Sequence, residues 1–283
     1  MPEPFNLPWR LGVESGAFLL EGIDLQWRDV PEGTGAMCQL LQNGATDLAV
    51  LVTEGAVRDV LVSSGNSVVA TLVDSPLRWG VHVGSGTDLQ TPADLVGVPF
   101  AISRFNSGSH LMAMVYAKRL GWTPKEKDFI VVHDLDGAVA LLKSPRPAVF
   151  LWEQAMTAAF VEAGALRMVD VMEASWPAFT VVARKEFHHR HPQEVERVLR
   201  IVRERAKAFT AGQGAAEQVT TRYGLPATEA RRWFAAVRWN MDGRIDLPSL
   251  SLAARTLAEA GMLSGAPPED LWGDRFSGSQ EPK

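Results

Sequence analysis

Cysteine is almost absent from this chain of 283 residues, because Cys38 is its only cysteine. An intramolecular disulfide is therefore impossible, and a zinc site built from several cysteines is excluded. The formal net charge is only -5, so the sequence lacks the basic surplus that nucleic-acid binding requires. It also lacks any run of about 18 apolar residues, which argues against a transmembrane helix.

The first ten residues have no basic start followed by an apolar stretch, so they do not form a typical secretory signal. The sequence therefore indicates a cytoplasmic protein, or a periplasmic one if an export signal has been removed. Hydrophobic residues make up 46% and charged residues 22%, which is usual for a folded soluble protein. The polar tail at 277–283 is predicted to be disordered.

Short apolar runs alternate with helical stretches over the first two thirds of the chain, which predicts parallel β-α-β units in an α/β fold. The last third is predicted to be helical. Two apolar segments, 77–83 and 178–183, have no local partner, and we interpret them as strands that cross between two lobes and form a hinge. Lobe 1 is then expected at 1–80 plus 181–276, and lobe 2 at 81–180.

Several short motifs, taken in order, resemble a known family. They are Glu32–Met37 (EGTGAM), Asp47–Val50 (DLAV), Thr53–Gly55 (TEG), Ser75–Trp79 (SPLRW), Asp94–Gly97 (DLVG), Ser103–Ser109 (SRFNSGS) and Phe150–Glu153 (FLWE). Over residues 5–210 the sequence resembles type 2 periplasmic-binding-protein-like substrate-binding proteins of the nitrate, sulfonate and thiamine-precursor type. Within that group it is most similar to a signal-less intracellular branch.

The resemblance implies two α/β lobes, two hinge crossings and a ligand cleft between the lobes. It implies a solute-binding module of a transport or sensing system, with a small-molecule ligand, a transporter or regulatory partner, no cofactor and no membrane insertion. Synthases of this fold that make thiamine precursors carry a cysteine-rich motif. This chain has only Cys38, so that activity is not expected here.

A polar segment after the predicted strand 98–102 is the first candidate binding site. Ser107, Gly108 and Ser109 open a helix whose backbone N–H groups and hydroxyls could hold a carboxylate, phosphate or sulfonate. An ordinary helix cap has the same sequence, so both interpretations stay open. Arg104 could add a charge-assisted bond to such an anion, or it could pair with an acid or point outward.

Two acidic residues also follow predicted strands. Glu54 lies in the sequence Thr53-Glu54-Gly55, and Glu153 follows Trp152. Each carboxylate suits a ligand amine or ring N–H, and the tryptophan offers a stacking face. The alternatives are an acid at a helix start and a tryptophan in the core. Two acids in one cleft favour a neutral or cationic heterocycle, whereas Ser107–Ser109 favours an anion, and the sequence does not decide between them.

The remaining candidates lie nearer the amino terminus. Thr34 and Gly35 start a helix that is expected to face the polar segment from across the cleft, and Gly35 would permit close backbone approach to a ligand. A simple turn and cap would explain them equally well. Asn6 and Trp9 are expected in a loop before the first helix, where Trp9 could instead only pack. Ser75 is expected near the hinge, beside a proline that shapes a turn.

The sequence thus favours binding of a small polar metabolite, with a pyrimidine-like or thiamine-precursor heterocycle as the first chemical candidate. The alternative is an enzyme of the same fold in which Glu54 or Glu153 acts as a general base. No metal site is expected, because the histidines at 188, 189 and 191 have no acidic partner at metal-ligand spacing.

Overall fold

The computed structural model describes residues 3–63 and 65–263, so the tail predicted at 277–283 lies outside the described residues. Its strands are β1 (Leu48–Val52), β2 (Asn66–Gly84), β3 (Phe100–Ile102), β4 (Phe129–Val131), β5 (Val149–Glu153) and β6 (Leu166–Arg184). Its α-helices are α1 (Leu7–Glu14), α2 (Ala17–Leu20), α3 (Thr34–Gln42), α4 (Thr53–Val62), α5 (Gly108–Arg119), α6 (Leu135–Leu142), α7 (Gln154–Glu162), α8 (Lys185–Arg190), α9 (Pro192–Ala211), α10 (Ala215–Tyr223), α11 (Ala227–Ala236) and α12 (Leu247–Glu259). None of these helices is both long and apolar enough to cross a lipid bilayer.

The six strands form one mixed sheet in the order β1-β6-β2-β5-β3-β4. β3 pairs in parallel with β4 and β5, as expected of β-α-β units. β6 pairs antiparallel with β1 and β2, and β2 pairs antiparallel with β5. The α/β class is therefore confirmed, but the expectation of parallel units throughout is wrong. The reason is that β6 brings the chain back beside β2 in the opposite direction.

β2 and β6 are the two long strands of the fold, with 19 residues each. The segment 77–83 forms the second half of β2, and the segment 178–183 forms the end of β6. Their pairing shifts register around Pro76, which lies opposite Pro177. Pro76 therefore lies within a strand and does not shape a turn. An irregular position in a ladder tolerates proline because no N–H is needed there.

The edge strand β1 has no backbone pairing on its outer side among the described residues. The chain at 23–30 passes this edge without regular secondary structure. Cavities of about 270 and 430 Å³ lie between them, both lined by Trp27 and by Leu48, Ala49 and Val50 of β1. Both cavities have mixed polar and apolar linings and lie along the side of β1.

Aromatic side chains fix the carboxyl-terminal helices to the first residues of the chain. Trp239 donates a hydrogen bond from Nε1 to the carbonyl oxygen of Phe5 at 3.0 Å. Its ring meets those of Phe209 and Trp233 edge-on, at centroid distances of 5.7 and 5.8 Å. Because Trp239 is 3% exposed, its N–H has no alternative partner in water.

Replacing Trp239 by phenylalanine removes this hydrogen bond and leaves a smaller ring in the core. We expect Trp239→Phe to lower the free energy of unfolding by about 1–3 kcal/mol. Urea denaturation followed by circular dichroism measures the change. Leu20→Ala is the control, because Leu20 is 87% exposed and its loss should cost less than about 0.5 kcal/mol. Equal stabilities of the two variants would contradict this account of the core.

Candidate functional site

A small cavity lies where β1, β3 and β5 end. Its volume is about 60 Å³, well below the roughly 300–1,000 Å³ of most ligand pockets. A larger cavity of about 780 Å³ adjoins it and shares the wall formed by Glu32, Thr34, Arg104, Ser107 and Gly108. Its lining residues come from loops and strand ends distant in sequence. They are Glu3, Pro31, Glu32, Gly33, Thr34, Val52, Leu77, Trp79, Ser103, Arg104, Ser107, Gly108, Ser109, His133, Trp152 and Glu153.

The start of α5 forms one wall of this cleft. Ser107 caps the helix, its Oγ accepting a hydrogen bond from the backbone N–H of His110 at 3.2 Å. The same hydroxyl donates to the Arg104 carbonyl oxygen at 2.7 Å and lies 3.0 Å from the Ser109 hydroxyl. Ser109 Oγ also accepts from the backbone N–H of Ser103. Both hydroxyls thus already have protein partners, which an anion at this helix start would have to share.

Arg104 crosses the mouth of the cleft. Its Nη1 donates to the Glu32 carbonyl oxygen at 2.9 Å, so the loop after β3 is joined to the loop before α3. The guanidinium lies against the first turn of α3, where a Cβ atom at Gly35 would come within 2.5 Å of Arg104 Nε and Nη2. Thr34 and Gly35 therefore do face the segment containing Ser107 from across the cleft, and Arg104 fills the space between them.

Glu54 lies at the start of α4, immediately after β1. It is 2% exposed, and its Oε2 accepts a hydrogen bond from Trp176 Nε1 at 2.9 Å. Its Oε1 has no hydrogen-bond partner. A Cβ atom at Gly108 would lie 2.8 Å from this Oε1, so the carboxyl group reaches the start of α5. Burial raises the pKa of Glu54, since the charged form loses its hydration.

Glu153 ends β5 and caps α7. Its two carboxyl oxygens accept hydrogen bonds from the backbone N–H groups of Ala155 and Met156, at 3.1 and 2.8 Å. These bonds favour the ionised form, yet burial outweighs them and raises the pKa of Glu153 to about 8. The charges of Glu3 and Glu229 raise it further. The sequence interpretations of Glu153 as a cap and as a cleft residue are therefore compatible.

Two tryptophans contribute to the cleft. Trp79 of β2 lies opposite Glu153 in the β2–β5 pairing, and it would lie 3.2 Å from a Cβ atom at Gly108. Trp152 is partly buried and stacks on Phe150 with a centroid distance of 5.1 Å. The indole Nε1 atoms of Trp79 and Trp152 are buried without a hydrogen-bond partner. The cleft therefore combines aromatic surface with unused donors and an unused acceptor.

Nine lining residues were not among the sequence candidates, and three of them have titratable or aromatic side chains that bear on ligand binding: Glu3, Trp79 and His133. Burial raises the pKa of Glu3 to about 7. Trp79 could have been found from the alternation in the motif Ser75–Trp79, which puts it on the same strand face as Leu77. His133 has a left-handed backbone with φ of 69°, which is rare for this residue type, and no sequence pattern signals it. Glu3 likewise carries no local signal.

The remaining candidates lie outside this cavity. The expectation that Trp9 lies in a loop is wrong: it lies in α1, where Pro8 favours the first helical turn. Trp9 is buried and its ring is 5.9 Å from that of Trp27.

Asn6 ends a short 3-10 turn and lines the cavity of about 270 Å³ beside β1. Ser75 Oγ accepts from the backbone N–H of Arg238 at 3.1 Å. Thr53 is fully buried, and its Oγ1 has no partner.

Fold and cleft together define the architecture of periplasmic binding proteins. The sequence model of the Ca3427-like PBP family matches residues 79–172. The CA3427 gene product of Candida albicans, described as defining a family with the generic periplasmic binding protein fold, superposes with a TM-score of 0.89 at 22% identity. That alignment covers 98% of this chain and 94% of the Candida protein. No curated protein matches this sequence.

Two ligand-binding proteins have the same fold. The alkanesulfonate-binding protein SsuA from Xanthomonas axonopodis pv. citri, bound to MOPS, gives a TM-score of 0.77 at 14% identity, with 97% of this chain and 93% of that chain covered. The periplasmic nitrate-binding protein NrtA from Synechocystis gives 0.71 at 13% identity, with coverage of 97% and 82%. The inferred resemblance to type 2 periplasmic-binding-protein-like substrate-binding proteins is thus confirmed, and the chain has their two-lobe α/β fold.

A methyl group at position 35 tests the contact across the cleft mouth. We expect Gly35→Ala to displace the Arg104 guanidinium and break its bond to Glu32, which lowers the free energy of unfolding by about 0.5–1.5 kcal/mol. The same substitution in an Arg104→Ala background should cost much less, because the displaced group is absent. Chemical denaturation of the four proteins gives this double-mutant cycle. Additive costs would show that the two residues do not touch in solution.

The raised pKa of Glu153 predicts how stability depends on pH. The folded protein keeps a proton that the unfolded chain loses above pH 4.5, so the free energy of unfolding falls as pH rises from 4.5 to about 8. We expect Glu153→Gln to flatten this decline and to be the more stable protein at the upper end. Urea denaturation at about pH 5.5 and about pH 8.5 measures both slopes.

Glu162→Gln is the matched control, because Glu162 is exposed at the other end of α7. Its decline with pH should equal that of the wild type. If Glu153→Gln also retains the full wild-type decline, the carboxyl group of Glu153 is not protonated in the folded protein near neutral pH.

Proposed function

We propose that this protein binds a small polar nitrogen heterocycle, of the pyrimidine-like or thiamine-precursor kind, between its two lobes. The observation that carries the proposal is the buried Oε1 of Glu54, which lacks a partner beside the ring of Trp79. A heterocycle with a ring N–H or amino group would donate to this oxygen while its face packs on indole. Buried polar atoms without partners are uncommon and mark places where a ligand completes the hydrogen bonding.

Binding is proposed to occur by hinge closure. The lobes are proposed at 1–80 plus 181–276 and at 81–180, so that β2 and β6 cross between them. A cavity of about 60 Å³ is too small for a ring, so the lobes are proposed to separate as the ligand enters from the adjoining cavity of about 780 Å³. The bond from Arg104 to the Glu32 carbonyl oxygen would break on opening and form again on closing. Hinge closure around a ligand is a common motion of two-lobed proteins.

The cellular role is proposed to be delivery of the bound solute to a transporter or a regulatory partner, from the cytoplasm. Support comes from the transport proteins that share the fold, whose names give them sulfonate and nitrate as ligands. Their identity to this chain is 13–14%, so the ligand must be inferred from this cleft alone.

An enzyme of the same fold is the second candidate, and one observation favours it. The free Oε1 of Glu54, on a carboxyl group whose pKa is raised by burial, has the properties of a general base. Glu153 suits that role less well, because both of its oxygens already accept backbone hydrogen bonds. Recovery of the ligand after incubation separates the two functions: a binding protein returns it unchanged, and an enzyme returns a product.

Gly108→Ala tests the position of the ligand. The added methyl group would lie 2.8 Å from Glu54 Oε1 and 3.2 Å from the Trp79 ring, so it occupies the proposed site. We expect a metabolite panel of pyrimidines, amines and sulfonates to give at least one saturable thermal shift with wild type and none with Gly108→Ala. A ligand at 100 times its dissociation constant adds about 2.7 kcal/mol of stability, which such a panel detects.

Gly86→Ala is the matched control, because no atom lies within 4 Å of its would-be Cβ. It should bind as the wild type does, while Trp152→Ala and Glu153→Gln should bind more weakly. Wild-type affinity in Gly108→Ala would show that the ligand binds elsewhere, and the cavities beside β1 would then be the next candidates.

A further inference from the structure

Three buried acidic residues lie in or beside the cleft: Glu3 and Glu153 line it, and Glu54 reaches its wall at Gly108. Glu3, Glu54 and Glu153 are each at least 94% buried, since their exposed fractions are 5%, 2% and 6%. None of the three forms an ion pair within residues 3–63 and 65–263. The cationic side chain in the cleft wall is that of Arg104, which donates to the Glu32 carbonyl oxygen and lies against Gly35. Among the described residues, these carboxyl groups therefore have no cationic partner within ion-pair distance.

Such an arrangement is costly unless something outside the chain supplies the missing charge. A buried carboxylate without a partner loses hydration worth several kcal/mol, so it is protonated or it binds a cation. The Oε1 of Glu54 has no partner among the described residues, so it is an acceptor that a ligand donor can satisfy. The aromatic rings of Trp79 and Trp152 also favour a cationic ligand, because their faces attract positive charge.

We infer that the ligand of this cleft carries a delocalised positive charge on nitrogen, as in an amidinium, a guanidinium or a protonated amino-heterocycle. Its N–H donors bind Glu54, and Glu153 and Glu3 supply the negative field. This inference rests on the proposed function and names the charge of its ligand. The cleft would then prefer a cation, whereas the names of SsuA and NrtA give them the anions sulfonate and nitrate as ligands.

Cation binding in this cleft displaces protons. Burial raises the pKa of Glu153 to about 8 and that of Glu3 to about 7, so both are largely protonated in the empty cleft at neutral pH or below. The titratable and charged groups around them are Glu54, Glu229 with its ion-pair partner Arg232, and Arg104 and His133 in the cleft wall. Arg78 also approaches, through its bond to the Gln154 side chain at 3.0 Å.

Affinity for a cation should therefore rise with pH. If one proton leaves Glu153 on binding, the fraction of protein in which Glu153 is already ionised grows roughly twenty-fold between about pH 6.5 and about pH 8.5. A neutral ligand of the same shape has no such dependence, and an anion has the opposite one. The sign of the pH dependence thus reports the charge of the preferred ligand.

Three probes of equal shape test this inference: benzamidine, benzamide and benzoate, which are cationic, neutral and anionic over this pH range. Isothermal titration calorimetry with the wild-type protein at both pH values gives their affinities. We expect benzamidine to bind at least ten-fold more tightly than benzamide, with an affinity that rises with pH, and benzoate not to bind. Glu54→Gln should remove most of the preference for benzamidine, and Glu162→Gln should preserve it.

The outcomes separate the inference from the function beneath it. Benzoate or benzamide binding as well as benzamidine overturns the cationic ligand while leaving a cleft that binds rings. Binding of none of the three contradicts the proposed function as well, because the cleft would then admit no ring. If Glu54→Gln shows altered near-ultraviolet circular dichroism, Glu153→Gln replaces it, with loss of the pH dependence as the expected result.

Discussion

The antiparallel pairing of β2 with β6 is the interaction on which the remaining structure depends. Both strands have 19 residues and they form the centre of the sheet, with β1 on the β6 side and β5, β3 and β4 on the β2 side. β1 pairs with the carboxyl-terminal end of β6, and β5 pairs with the carboxyl-terminal part of β2. This pairing sets Trp79 opposite Glu153 and brings the end of β1, with Glu54 after it, to the same cleft. The bulges at Pro76 give these long strands a place to bend.

Burial of acids in the cleft has a cost that the fold must offset elsewhere. An apolar residue at position 54 or 153 would pack without desolvating a charge, so the carboxyl groups serve no purpose in the core. The large aromatic cluster around Trp239 and the continuous core beneath the sheet stabilise the protein enough to retain them. Groups that lower stability at one location are typical of binding sites, where the ligand restores the lost interactions.

Much of this molecule could be predicted from its sequence, because local signals sufficed for helix starts and apolar strands. Ser107 as the cap of α5 and Glu54 at the start of α4 are examples. Strand direction could not be predicted, since β6 finds its partners through contacts more than 80 residues away in sequence. For the same reason Glu3 and His133 were missed: neither has a pattern around it, and only the folded chain brings them to the cleft. Trp9 was expected in a loop because the proline before it is compatible with a loop as well as with the first turn of a helix.

A crystal structure of the protein with benzamidine measures the central claim most directly. The account predicts electron density for the amidinium within hydrogen-bond distance of Glu54 Oε1, with the ring against Trp79 and the bond from Arg104 to the Glu32 carbonyl oxygen retained. Density in the cavities between β1 and the chain at 23–30, with the interlobe cleft empty, would contradict it. The ligand site would then lie along the outer edge of the sheet, and the buried acids would need another explanation.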